Sequence, residues 1–376
     1  MTSVDIKPLP LTRLESGYED LIGSADVDGA AALLQGHTNA IRNGTEVSTA
    51  NGGGTHEGVD DGAKGPAANG AAVEKAAPSE EASQPNFPTG TEKPGVIIPP
   101  LQPEGKKNNK AVPWYHKEIK DIDPITRGIL ENYSQIPADQ VEQHVTAIRE
   151  KAWDVFPYPC IGQFLFLNLT INLSPYYPTL VSRLKDESQT LLDLGCCFAQ
   201  DVRKLVSDGA PSENIYGADL YGDFMDLGFE LFRDRRTLKS TFFPCDILDE
   251  KKDFLLRGLD GEMDVVYLGL FLHHFDFETC VTVCKRVIRL LKPKPGSLVM
   301  GCQVGSLTGD KVGIPIPSGG ILFRHDIDSF ERVWKRVGEE TGTEWKVEAR
   351  LERGKGFGEK WQIEGTRRLG FEVLRL

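Results

Sequence analysis

Thr190-Leu-Leu-Asp-Leu-Gly-Cys-Cys-Phe-Ala-Gln-Asp201 is the stretch whose reading decides the fold. A short apolar run reaches an acid at Asp193, turns at Gly195 and passes into a helical pattern. This is the first strand–turn–helix unit of an open, mostly parallel sheet. Ligands of such sheets bind at the carboxyl ends of the strands. Gly195 has no Cβ, so the backbone there can approach a ligand and adopt angles that other residues avoid. The helix that follows turns its free N–H groups toward the same crevice.

Downstream, strands and helices alternate. Strands are expected at Thr190–Leu194, Asn214–Asp219, Ser240–Cys245, Met263–Leu268 and Ser297–Cys302. Helices are expected at Ala199–Asp208, stopped by Gly209, and at about Asp223–Arg233, Lys251–Leu256 and Phe277–Leu291. A Gly/Pro-rich loop is expected from Val304 to Leu322. A helix (Ile327–Thr341), a strand (Trp345–Leu351), a polar connection and a last strand (Phe371–Leu376) close the chain. The alternation predicts an α/β domain with a parallel sheet. Cys280 and Cys284 share one helical face, where small buried core residues are far commoner than a metal pair.

Upstream the pattern changes twice. Between Gly52 and Gly95 the chain is dominated by Gly, Ala, Pro, Glu, Asn and Ser, with Phe87 its only aromatic residue. Such a segment cannot bury enough apolar surface to offset its ordering entropy. Residues 1–110 are therefore expected to be a disordered extension. Aromatic density rises at Val112-Pro-Trp-Tyr-His116. Residues 111–189 read as a helical cap bordering the substrate, and 190–376 as the ligand-binding domain. Within the cap, Pro137 is expected to open a helix with Val141, Val145, Ile148 and Ala152 on one face. Phe156-Pro-Tyr-Pro-Cys-Ile-Gly-Gln163 is too rich in proline to be helical, and its aromatic character suits a cover over a site.

Composition narrows the function. The chain has 376 residues and a formal net charge of −12, which argues against nucleic acid as the main partner. No run of about 18 apolar residues reads as a membrane span. The N-terminus has no signal pattern. Seven scattered cysteines lack zinc spacing and suggest no disulfide framework. A reducing, cytoplasmic setting is expected, with no metal.

Three acids close successive strands: Asp193, Asp219 and Asp246. Carboxylates there can accept hydrogen bonds from ligand hydroxyls or amines. Asp219 lies 26 positions after Asp193, near the spacing at which an acid meets a ribose in dinucleotide folds. The dinucleotide fingerprint itself needs three glycines, and the turn Gly-Cys-Cys-Phe-Ala-Gln has one and no basic residue. An acidic pocket suits a phosphate-free, cationic nucleoside, and S-adenosylmethionine is such a molecule.

Asp193-Leu-Gly-Cys-Cys-Phe-Ala-Gln-Asp201 resembles motif I of the class I S-adenosylmethionine-dependent methyltransferases. Leu290-Leu-Lys-Pro-Lys-Pro-Gly-Ser-Leu-Val299 is similar to their approach to strand five. The chain departs from the common motif in carrying Cys197 and Ala199 at its second and third glycines. It is more closely similar to fungal methyltransferases of polyketide and meroterpenoid clusters. That similarity rests on Trp153–Gln163, Asp193-Leu-Gly-Cys-Cys, Pro211-Ser-Glu-Asn-Ile-Tyr-Gly217, Leu231-Phe-Arg-Asp-Arg235 and Glu339-Glu-Thr-Gly-Thr-Glu-Trp345. It covers about Val112 to Leu376. The resemblance implies a Rossmann-like, mostly parallel seven-stranded sheet with the last strand antiparallel. It implies that Asp193 and Gly195 hold the methionine part, Asp219 with Leu220 the ribose, and Asp246 with Ile247 the adenine amine. Gly269 to His273 would line the sulfonium side.

The family shows one histidine after strand four, followed by a hydrophobic residue, which favours His273 over His274 as base or hydrogen-bond positioner. A carboxylate acceptor, already ionised, needs no base. Gln303 and His325 are further pocket candidates. The expected partner is a small hydrophobic acceptor methylated on a hydroxyl or carboxyl oxygen, and a homodimer is allowed. Competing readings are a protein methyltransferase and a non-catalytic scaffold that keeps the fold. A nicotinamide dehydrogenase is disfavoured by the missing glycines.

Overall fold

The computed structural model describes residues 110–248, 254–315, 321–354, 357, 362 and 364–376. The expectation of a disordered 1–110 lies, apart from Lys110, outside the described residues.

Five strands run parallel: β1 (Leu191–Leu194), β2 (Ile215–Asp219), β3 (Thr241–Pro244), β4 (Val265–Gly269) and β5 (Leu298–Ser306). A hairpin of β6 (Asp310–Pro315) and β7 (Ile321–Arg324) follows, and β8 (Trp345–Glu352) and β9 (Thr366–Arg375) complete the chain. The seven-stranded order is β3-β2-β1-β4-β5-β9-β8. The last strand, β9, inserts between β5 and β8 and is antiparallel to both. The expected Rossmann-like sheet is therefore present, antiparallel strand included.

Helices cover both faces because the central strands are apolar on both faces, as buried parallel strands must be. On one face Val266, Leu268 and Val299 pack with α5 (Phe277–Leu290) and α6 (Ile327–Thr341) through Cys284, Val287, Phe330 and Trp334. On the other, Val265, Tyr267 and Met300 pack with α2 (Tyr177–Asp186) and α3 (Gln200–Ser207). Cys280 and Cys284 are fully buried in the first core, and no metal-type cluster of His, Cys, Asp and Glu occurs among the described residues. Helix α6 begins at a capping box between Asp326 and Ser329 and ends at Gly342, whose φ is +65°.

A third apolar cluster joins the cap to the domain. Trp153, Ile161 and Phe166 of the cap pack with Phe198 and with Phe224 and Leu231 of α4 (Gly222–Phe232). At its centre Arg149 is buried, donates to the carbonyls of His116 and Gly162, and lies over the rings of Tyr115 and Phe164.

Four local expectations are corrected. The cap helix α1 starts at Val141, not Pro137, and runs to Val155. The N–H of Gln140 bonds to the carbonyl of Pro137, closing a tight turn before the helical register begins. Within Phe156–Gln163 a single helical turn forms at Pro159–Gly162, because proline at the first helical position loses no needed N–H. The loop assigned to Val304–Leu322 contains the β6–β7 hairpin and the end of β5. The break in register between Lys311 and Pro315 lets a proline end a strand without interrupting a regular ladder. The last strand starts at Thr366, five residues before Phe371. Its early residues read as a connection, yet among them Arg368 is paired across the sheet with Glu352.

Candidate active-site crevice

The strand order turns back between β1 and β4, and ligands of such sheets bind at the carboxyl ends beside that switch point. The register aligns Asp193 with Gly217 and Asp219 with Pro244. Asp219 is two residues beyond Gly217, and Asp246 two beyond Pro244. Side chains two apart share a face of a strand, so Asp193 and Asp219 lie on one face, stepped along the edge. Asp246 follows just past β3. Tyr267, aligned with Asp193 on β4, shares the same face.

The turn after β1 has an unusual backbone. Gly195, Cys197 and Ala199 all have positive φ, at +79°, +51° and +51°. The two non-glycine residues therefore keep the left-handed geometry that the common motif assigns to glycine. That conformation costs roughly 1–2 kcal/mol at each residue with a side chain, and surrounding bonds must hold it. Asp219 does so. Its carboxylate accepts the N–H of Cys197 at 2.8 Å and that of Tyr221 at 3.1 Å. Gly195 and Cys196 both donate to the carbonyl of Ala218. A Cβ on Gly195 would lie 2.5 Å from Phe271 Cδ2, so the chain after β4 closes directly onto this turn.

Electrostatics favour a cationic ligand. Burial, with Asp201 and Asp219 nearby, pushes the Asp193 carboxyl well above the ordinary carboxylate range. Burial also raises Asp219, against the opposing effect of its backbone donors. Arg203 is the cation that opposes the rise at Asp193, but it is committed to Asp234 through two hydrogen bonds, at 2.9 and 3.1 Å. The buried Asp193 and the half-buried Asp219, the latter facing backbone N–H donors, suit an added positive charge. S-adenosylmethionine, with its amine and sulfonium, fits these acceptors.

The other expected positions group around the same edge. Leu220 follows Asp219 and is 53% exposed, and Leu248 follows Ile247 and is 43% exposed. Two large apolar side chains left in water beside strand-end acids suit the faces of a flat, apolar ring. Asp246 accepts the N–H of Leu248 at 3.0 Å in a local turn, while Ile247 packs against the core. Gly269 ends β4, and Leu270 after it has φ +55°. His273 follows in a short helical turn, and its ring centroid is 4.2 Å from that of His274. The Nδ1 of His273 is buried without a hydrogen-bond partner. Burial, with His274 and Arg324 beside it, holds its pKa well below the ordinary histidine value. Gln303 and His325 are buried further inside. Both amide atoms of Gln303, and Nε2 of His325, lack partners among the described residues.

The structure adds groups that the sequence did not single out. Asp201 accepts the N–H groups of Thr170 and Ile171 at 3.0 and 3.1 Å, and Thr170 Oγ1 lies 2.6 Å from the Tyr267 hydroxyl. This network fastens the cap to β4 beside Asp193. Tyr158, within the expected aromatic cover, has its ring 6.4 Å from Tyr221 and 5.9 Å from His274, so it touches both flanks of the crevice. Arg324, at the end of β7, donates to the carbonyl of His273 at 2.9 Å. It was missed because it falls between the expected loop, which ends at Leu322, and the helix expected from Ile327, where no element was assigned. The signal for Asp201 was an acid in the first turn of a helix whose apolar neighbours are buried.

Comparison with known proteins finds relatives of the chain. Residues 114–167 match the family model described as the meroterpenoid methyltransferase N-terminal domain. The O-methyltransferase atr3 of Stereocaulon alpinum is 73% identical over 376 residues, covering 100% of both chains. The Asnovolin E/Chermesin D methyltransferase nvfJ of Aspergillus novofumigatus is 42% identical over 235 residues, 61% of this chain and 82% of that protein. Among solved structures, a Burkholderia thailandensis 1,6-didemethyltoxoflavin-N1-methyltransferase is 12% identical with a TM-score of 0.39, covering 62% of this chain and 89% of that one.

Proposed function

The chain belongs to the family of fungal O-methyltransferases represented by these relatives, and from that membership we propose that it binds S-adenosylmethionine in the β1–β4 crevice and methylates an oxygen of a small hydrophobic metabolite. The observation that carries the cofactor assignment is the buried Asp193 and half-buried Asp219 beside the glycine turn, with the nearby Arg203 committed to Asp234. A bound S-adenosylmethionine supplies a methyl carbon on a sulfonium, which leaves as a neutral thioether and needs no acid. The protein's part is alignment, which can supply a large share of the rate.

Asp193 and Gly195 receive the methionine part, Asp219 and Leu220 the ribose side, and Asp246 and Ile247 the base. Gly269 opens the backbone at the end of β4. His273 is the catalytic candidate. It is neutral at physiological pH, so it can accept a proton from a hydroxyl or donate one hydrogen bond to a carboxylate. The aromatic cover of Phe156, Tyr158 and Tyr221 suits an apolar acceptor and excludes water. The division into 1–110, a cap at 111–189 and a catalytic domain at 190–376 belongs to the same proposal, as does a cytoplasmic setting. Among the described residues no helix is long and apolar enough to cross a membrane.

The test is a transfer assay with methyl-labelled S-adenosylmethionine and an extract of the producing organism. Label in a low-mass organic product supports the reading. Label in polypeptide would replace it with a protein methyltransferase. His273→Ala should slow transfer at least about tenfold while leaving cofactor binding intact. If His273 acts in its neutral form, the rate should show no titration from roughly pH 6.5 upward, because the lowered pKa lies below that window.

A further inference from the structure

A second buried acid stands beside Asp193, and the proposed reaction does not use it. Asp201, in the first turn of α3, is 2% exposed, and Asp193 is 3% exposed. Tyr267 joins the two. It stands opposite Asp193 in the β1–β4 register, and its hydroxyl donates to Asp201 Oδ2 at 3.3 Å. A Cβ on Gly269 would lie 3.0 Å from that hydroxyl, which puts it at the end of β4. After burial, Asp201 is the charge that does most to raise the Asp193 carboxyl.

The remaining hydrogen bonds of Asp201 among the described residues go to the cap. Its Oδ1 accepts the N–H of Thr170 at 3.0 Å and that of Ile171 at 3.1 Å, and its Oδ2 accepts the Thr170 hydroxyl at 3.1 Å. Thr170 Oγ1 also lies 2.6 Å from the hydroxyl of Tyr267. This tie fixes the chain just downstream of the crevice cover, Phe156–Gln163. Burial raises the Asp201 carboxyl too, against the pull of these cap donors. Two buried carboxylates bridged by one tyrosine disfavour each other's ionised form. A fully charged carboxylate accepts hydrogen bonds about twice as strong as those of a neutral acceptor. The strength of the cap tie therefore depends on whether a cation lies beside Asp193.

We propose that Asp201 is a positioning residue that couples the cofactor site to the cap: a ligand amine beside Asp193 lets Asp201 hold Thr170 and Ile171 more tightly, so the cover over the crevice is fixed once the nucleoside is in place. This rests on the cofactor reading above. The coupling is reciprocal, so a tied cap holds the cofactor more tightly by the same factor, on the order of five- to 150-fold for couplings of this kind. The acceptor then meets a cover that is set only in the loaded protein.

The experiment measures hydrogen–deuterium exchange of the Thr170 and Ile171 amides in the full-length protein. It is done with and without saturating S-adenosylhomocysteine, which keeps the amine, and thermal unfolding with the same ligand is followed in parallel. The proposal expects the ligand to slow exchange at these two amides at least about fivefold in the wild type. In Asp201→Asn, which keeps an oxygen for the N–H groups and loses the charge, the two states should agree within about twofold. Asp193→Asn should slow the exchange without ligand, because it removes the opposing charge. Tyr133→Phe loosens a different tie of the cap, to Asp234, and should keep the wild-type response. A melting temperature raised by the ligand with exchange unchanged at Thr170 and Ile171 overturns the proposal and leaves the cofactor reading standing. A wild-type response in Asp201→Asn overturns it too, as does fast ligand-free exchange in Asp193→Asn. Loss of the response in Tyr133→Phe would assign the effect to the cap as a whole and not to Asp201. No rise in the wild-type melting temperature at saturating ligand would overturn the cofactor reading and the proposal together.

Discussion

At the scale of single residues, the site is built from groups held against their own preferences. Asp193 is an acid in a buried, acidic neighbourhood. Its folded pKa is raised above the ordinary 3.8, so its ionised form opposes folding. The stability linked to it is complete below pH 3.8 and is lost as pH rises through the elevated folded value. Asp193→Asn should therefore raise the melting temperature of the ligand-free protein at pH 8. The gain should shrink as pH falls through that window, while the stabilisation by S-adenosylhomocysteine drops. Calorimetry at several pH values, with and without ligand, checks both halves. Gly195→Ala should do the opposite, costing at least about 1–2 kcal/mol from the left-handed backbone, with a further loss from the contact with Phe271. Urea denaturation reads that cost. Asp193 and Gly195 were legible in the sequence because an acid, a glycine and a helix start at this spacing are what a strand-end ligand turn requires. Arg324 was not legible, since what brings it to the site is its hydrogen bond to the carbonyl of His273, 51 residues away in the chain.

At the scale of elements, the cap is joined to the sheet by polar ties as well as by packing. Asp234 receives Arg203 and the hydroxyl of Tyr133, the latter at 2.8 Å. Asp234→Ala would leave a buried guanidinium uncompensated and should cost about 3–5 kcal/mol. Tyr133→Phe removes one hydrogen bond and should cost about 1 kcal/mol. Equilibrium urea unfolding of both separates a structural ion pair from a surface one. Strands β1 to β5 and helices α3 to α6 could be read ahead because each is a short run with a clear period and a glycine, proline or acid at its border. The β6–β7 hairpin and the first half of β9 could not. Their residues are Gly-, Pro- and Arg-rich, and what makes them strands is cross-strand pairing, including Arg368 with Glu352, which a local window does not contain.

Over the whole molecule, one edge of one sheet collects the chemistry. The cap supplies its cover, the first two strands its acids, and the chain after β4 and β7 its histidine and arginine. Residues 1–109 lie outside the described residues; their low apolar content predicts that deleting them leaves the melting temperature unchanged and the cofactor affinity within about twofold of the intact chain. A larger loss, read by scanning calorimetry, would give that segment a place in the fold. The account depends most on the crevice holding a cationic nucleoside. Isothermal titration of the full-length protein with S-adenosylmethionine tests this directly. One site per chain is expected, weakened at least about tenfold by Asp219→Ala, the loss of a charged hydrogen-bonding group. No binding by the wild type, or equal affinity in Asp219→Ala, would contradict it.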